Sequence, residues 1–179
     1  IKARFWVGAK VSDNGNGTWH YEYAIHNLNS DRCAGSFSVP VPAGVTVTNI
    51  DFHGIFAHSG EPFPNTASNL AAWPGAHAGG AVTWAVPQAY IAPGHNANAL
   101  RWGTMYNFRF DANVAPAAGT TTIGLFKPPT AGSITSVAAA VSTPGTLCRA
   151  DYNRDGSVGV QDIFDFLAAY FSNSPAADI

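Results

Sequence analysis

Charge is scarce in this chain. Asp, Glu, Lys and Arg make up 11% of its 179 residues, against about 25% in an ordinary soluble domain. Lysine occurs three times and glutamate twice, and the formal net charge is −2. So few cations leave no footprint for a phosphate backbone or an anionic membrane surface, which argues against nucleic acid and membrane partners. No apolar run reaches the ~18 residues that a spanning helix needs, so membrane insertion through a helix is excluded. Weak mutual repulsion also lets such a surface tolerate close neighbours, which suits an assembly protein.

The familiar catalytic signatures are missing as well. There is no HExxH, no GxSxG and no glycine-rich phosphate loop. The two glutamates, Glu22 and Glu61, do not suggest a glycosidase pair. Cysteine is limited to Cys33 and Cys148. With no CxxC and no adjoining histidine cluster they read as one disulfide and not as a zinc site, two free thiols being the alternative. Such a bond would close a long loop, worth ~4–5 kcal/mol in the chain-entropy model, and would imply an oxidising compartment. No signal peptide precedes Ile1, which opens on strand-like sequence as a trimmed start would.

What is present is mostly β-pattern. Expected strands cover residues 5–11, 18–28, 36–41, 45–55, 81–86, 100–111 and 119–126, with 133–142 as a further candidate. Trp19, Tyr21, Tyr23 and Ile25 alternate with His20, Glu22 and His26, the mark of a half-buried strand. Trp102, Tyr106, Phe108 and Phe110 mark a central strand broken at Gly103. Residues 57–80 and 87–99 read as long loops, and the SDNGNG stretch at 12–17 as a turn. Pro40 and Pro42 mark a strand edge or exit. Seven or eight short strands, with no helical pattern before residue 158, predict an all-β antiparallel sandwich. The expected organisation is a sandwich over 1–142, a linker over 143–149 and a separate element over 150–179.

The sandwich region holds two further candidate sites. Asp51, His53, His58 and Glu61 could form a metal or acid–base group, against the plainer alternative of loop histidines satisfied by backbone. Five Trp and six Tyr could stack on sugar rings, but the patterned ones fall on strand faces and read as core. Asn16-Gly17-Thr18 is a glycosylation sequon on a turn, and residues 119–122 and 130–143 are rich enough in Ser and Thr for O-linked sugar.

The sharpest signal lies at Asp151–Phe171. Asp151, Asn153 and Asp155 occupy positions 1, 3 and 5 of a calcium-type loop, and Gly156 occupies position 6, where the chain must turn. Ser157 at position 7 offers its carbonyl, Gly159 at position 9 leaves room for a water ligand, and Asp162 at position 12 supplies a carboxylate. Calcium is a hard cation that takes several oxygens, which this spacing provides; the alternative is a solvated Asx-rich turn opening a helix. Ile163, Phe164, Phe166, Leu167, Tyr170 and Phe171 recur at spacings of three and four. They predict a helix whose apolar face docks on protein.

On these residues, DYNRDG followed by VQDIFDFLAAYF, the segment resembles one half of a dockerin of the type found in secreted planctomycete proteins. The resemblance implies an extracellular, calcium-dependent attachment module. Dockerins carry two such units, and this chain shows one. The positions at which cellulosomal dockerins choose partners are here Val160, Gln161, Leu167 and Ala168, so a cohesin-type partner does not carry over. Ala177-Asp178-Ile179 repeats the opening of the loop, which makes Asp178 a candidate first position of a second unit. The helix face would then be covered by a second unit, by its own sandwich or by another subunit. The preceding region resembles the uncharacterised sandwich that planctomycete proteins place before such a dockerin. The likeness rests on Tyr21–Ser30, Gly35–Val39, His58–Pro62, Ala97–Phe108 and Gly124–Lys127. It implies architecture and secretion and no chemistry. Expected, then, is a non-catalytic extracellular structural protein that assembles with another protein or with copies of itself, as in a cell-surface or extracellular filament.

Overall fold

The computed structural model describes residues 2–55, 72–91, 97–148 and 150–174. Among them lie nine strands and one longer helix. In chain order these are β1 (Phe5–Asp13), β2 (Trp19–Asn27), β3 (Ala34–Pro40), β4 (Val47–His53) and β5 (Gly75–Ala78). Then come β6 (Ala81–Ala85), β7 (Met105–Ala112), β8 (Pro116–Leu125), β9 (Ser136–Pro144) and the helix α1 (Val160–Phe171). One sheet runs β1-β2-β7-β4 and the other β5-β6-β3-β8-β9. Every pairing is antiparallel. The all-β sandwich is therefore the observed architecture, with one strand more than expected.

Alternation on two central strands builds the core. Tyr21, Tyr23 and Ile25 of β2 pair with Phe110, Phe108 and Tyr106 of β7, and all six are buried. The facing sheet contributes Phe37, Val39, Val82, Trp84 and Ile123. Phe108 lies at the centre, with ring centroids 5.0 Å from Phe37, 5.4 Å from Phe52 and Trp84, and 5.5 Å from Trp73. The phenols are not left unpaired: Tyr21 Oη donates to the Val114 carbonyl at 2.7 Å and Tyr23 Oη to Ser142 at 2.9 Å. Burial pushes both phenol pKa values well above the ordinary range.

Several expectations need correction. The strand β5 lies inside the expected loop 57–80; its sequence GAHA is exposed throughout and carries no apolar pattern. The strand expected from residue 100 begins at Met105, because residues 101–104 form a turn in which Thr104 N–H donates to Arg101 O and Gly103 adopts φ +75°. Trp102 rides on that turn and is exposed, so it is not core. Thr143 and Pro144, assigned to the linker, finish β9 and are buried. Pro40 closes β3, an interior strand, so it marks an exit and not an edge.

The disulfide is the largest correction. No disulfide joins the two cysteines, Cys33 being buried and Cys148 exposed. They lie at opposite ends of the sandwich. The Cys33 carbonyl accepts from Phe126 N–H just past the end of β8. Cys148 adjoins Ala115 and Pro116 at its start. Ten residues of strand separate those points, about 30 Å at the usual strand rise, whereas a disulfide needs Cα atoms within about 7 Å. A thiol reagent should therefore modify Cys148 in the native protein and Cys33 only after denaturation, as mass spectrometry would show. Reductant should leave the melting temperature unchanged.

Candidate functional site

The segment after β9 folds back under the sandwich. Asp151 N–H donates to the Cys148 carbonyl at 3.2 Å, which starts the loop. The Trp19 indole N–H reaches the Arg154 carbonyl at 3.4 Å, and Gly156 lies against Ala115 so closely that any Cβ there would clash. Gly156 has φ +91° and Arg154 φ +62°, so the chain turns through two left-handed positions within three residues. Only glycine suits both demands at 156.

The expected metal residues are organised by hydrogen bonds within the loop. Asp151 accepts from Asp155 N–H at 3.0 Å and from Gly156 N–H at 2.9 Å. Asn153 Oδ1 accepts from Asp155 N–H at 3.0 Å, and Asp155 Oδ1 from Ser157 N–H at 2.8 Å. Asp162 accepts from Asn153 N–H at 3.2 Å and from Gly159 N–H at 2.7 Å. It is 4% exposed and thus ties the loop to the first turn of α1. The Gly159 N–H, against the penalty of desolvation and with help from Asn153 N–H, holds the Asp162 carboxyl below the usual carboxylate range. This is half of a capping box, since Gly159 has no side chain to return the bond.

These donors are hard oxygens at the offsets calcium uses, so the chemistry of the set fits that ion. The carboxylates of Asp151, Asp155 and Asp162 do not, however, gather as one cluster, and no group of three metal-ligating His, Cys, Asp or Glu side chains occurs among the described residues. Their oxygens are turned to loop amides instead. Asp151, Asn153, Asp155, Ser157, Gly159 and Asp162 are thus brought onto one loop, with the three carboxylates apart.

The helix ends cleanly. Asn173 sits at φ +53°, its N–H donates to Tyr170 O, and Ser174 N–H donates to Ala169 O at 2.9 Å. That double bond pattern is a Schellman motif. At ~100° per residue, Val160, Ile163, Phe164, Leu167, Tyr170 and Phe171 fall within an arc of about 120°. All six are exposed, Phe171 at 78%. Phe166 departs from the expected docking set. It borders this face, its ring stacked on Tyr170 at 6.1 Å, but is half-buried and edge-on to Tyr152 at 5.7 Å. The sandwich does not cover the apolar face of α1.

The alternative acid–base group is not assembled among the described residues. Asp51 pairs with Arg109 across β4 and β7, with Nε at 3.0 Å. The Arg109 hydrogen bond holds its carboxyl below the ordinary range. His53 is exposed on the same face; His58 and Glu61 lie outside the described residues. A better-built polar pair is His20–Asp111, unforeseen because its members are ninety-one residues apart. Burial pulls the Asp111 carboxyl upward. Hydrogen bonds from Asn49 and His20, both at 2.6 Å, outweigh that and leave it below the ordinary range. A depressed carboxylate stabilises the fold fully above the unfolded pKa, about 3.9, and loses that contribution as pH falls through the folded value. Asp111→Asn should therefore flatten the acid limb of a melting-temperature profile below about pH 4.

No helix among the described residues is long and apolar enough to cross a membrane. No family model matches the chain, and no curated protein matches it. Among solved structures it is similar to a GH20 exo-β-N-acetylglucosaminidase from Vibrio harveyi in complex with N-acetylglucosamine, with a TM-score of 0.40 and 13% identity. That match covers 76% of this chain and spans only 17% of the solved one. A likeness so distant carries no argument about activity.

Proposed function

We propose that this chain is a non-catalytic, extracellular attachment subunit whose C-terminal loop and helix form a calcium-dependent, dockerin-like docking element. The observation that carries the reading is the apolar face of α1. Six large apolar side chains stand in water on a helix capped at both ends, and a surface of that kind marks an interaction site. Calcium would be held by Asp151, Asn153, Asp155 and Asp162 with the carbonyl of Ser157, and by water beside Gly159. Its charge would offset the repulsion of three carboxylates on one short loop and so favour the ordered form. The low overall charge suits a molecule that packs against neighbours.

Calorimetric titration of the full chain with calcium tests the reading. One site per chain is expected, and none in Asp151→Ala. A chain that takes up no calcium and shows the same order in residues 150–174 with and without chelator would remove the calcium-dependent joint.

A further inference from the structure

The partner of α1 can be taken further, an inference that rests on the docking reading above. At the end of the sandwich opposite the loop lies a groove of about 620 Å³. Phe5, Trp102, Leu125, Ile134 and Val137 give it apolar walls, and Lys2, Asp31 and Arg32 also line it. Trp102 and Ile134 are 67% and 63% exposed, as open to water as the helix face, while Phe5, Leu125 and Val137 are half-buried beneath them. The groove is held in shape by Arg32, whose guanidinium donates to the carbonyls of Lys127 and Ile134. Lys127 in turn pairs with Asp31 at 2.8 Å.

Charge separates along the same axis. Among the described residues, the groove end carries Lys2, Arg4, Arg32, Arg101 and Lys127 against one carboxylate, Asp31. Among the described residues the loop end carries Asp13, Asp151, Asp155, Asp162 and Asp165 against one cation, Arg154. A single bound calcium would leave the loop end negative. The helix has acid in its first turn and no basic residue in its last, so its dipole keeps its C-terminus negative too. Each end therefore offers an exposed apolar surface within a field of opposite sign to the other. Opposed fields of this kind steer two surfaces together and set their register.

We infer that the groove is the socket for α1 of a second copy of this chain, with Phe164, Leu167 and Phe171 inserted beside Trp102 and Ile134. The contact joins different patches on the two copies. Groove and helix lie at opposite ends, so successive contacts propagate into an open head-to-tail chain and not a closed dimer.

A mixing experiment with full chains in millimolar calcium tests this by sedimentation velocity. Wild type should form a concentration-dependent series of oligomers. Trp102→Glu blocks the socket and Phe171→Glu blocks the plug. Both residues are exposed, so both variants should keep the wild-type circular dichroism. Each alone should be monomeric, with association at least ~30-fold weaker, as for loss of a central aromatic anchor. Mixed in equal amounts they should give one heterodimer and nothing larger, since each supplies the half the other lacks. Trp102→Glu that still forms the wild-type series overturns the socket. A monomeric wild type that nevertheless binds one calcium overturns the second-copy partner and leaves the docking reading standing with a foreign protein. Oligosaccharide bound at Trp102 without self-association likewise overturns the inference.

Discussion

Asp162→Ala is expected to abolish calcium binding by the full chain and to unfold residues 150–171 while the nine strands persist. Two roles meet in this one carboxylate. It accepts the N–H groups of Asn153 and Gly159, which fixes the loop to the first turn of α1. In the calcium reading it also supplies the last loop ligand. A helix of 12 residues is marginal in water unless something else holds it, and the exposed face of α1 gives it little to pack on. Affinity should fall by more than the ~10–100-fold that removal of a supporting partner costs a metal site. Amide exchange across residues 150–171 should lose its protection, with that of β2 and β7 unchanged. Asp162→Asn separates the two roles, because it keeps an oxygen acceptor and loses the charge. It should retain much of the helix and little of the calcium binding. An unchanged calcium titration in Asp162→Ala would place the ion elsewhere.

Phe108→Ala should cost the sandwich about 3–5 kcal/mol, the range for deleting a buried aromatic ring. The ring touches four aromatic neighbours from both sheets and the loop before β5, so no single shift can fill the space it leaves. Total stabilities run to about 5–15 kcal/mol, and the melting temperature should drop by roughly 10–15 °C. Phe171→Ala removes the same side chain from an exposed site and should change stability by no more than ~0.5 kcal/mol. Chemical denaturation of the two variants side by side checks both numbers. Equal losses would mean that the face of α1 is buried in solution.

Central strands with strict alternation were legible from the residues alone. Tyr21, Tyr23 and Ile25 against Phe110, Phe108 and Tyr106 show a two-residue period with aromatic weight, and that period survives any error of boundary. In β4 the pattern reads on both faces, and the structure supplies the cause. A register shift between Thr48 and Asp51, with Asn49 at φ +53°, inserts a bulge. Val45 and Val47 face inward before it, Ile50 and Phe52 after it. The strand β5 was illegible because GAHA pairs by backbone alone. Spacing showed the loop at 151–162, since Asx side chains bond amides close by in sequence. It could not show whether three carboxylates converge, which depends on side-chain rotation and on the ion. The cysteine pairing failed because counting says nothing of which end of a strand each residue occupies. The groove drew on Phe5, Trp102, Leu125 and Ile134, residues scattered over most of the chain, and left no local pattern to find.

The pairing of β2 with β7 also governs how the protein comes to be folded. Tyr23 and Phe108 are partners, so a loop of about 85 residues must close before the central ladder forms, at an entropic cost that nothing local repays. Topologies of this kind acquire their native state in milliseconds to seconds, and not in microseconds. A nascent chain that ends before residue 105 lacks Tyr106, Phe108 and Phe110, and its β2 has β1 on one edge and nothing yet for the other. Folding therefore awaits the arrival of β7, and the closing hook at residues 150–174 follows a body that has only just become complete.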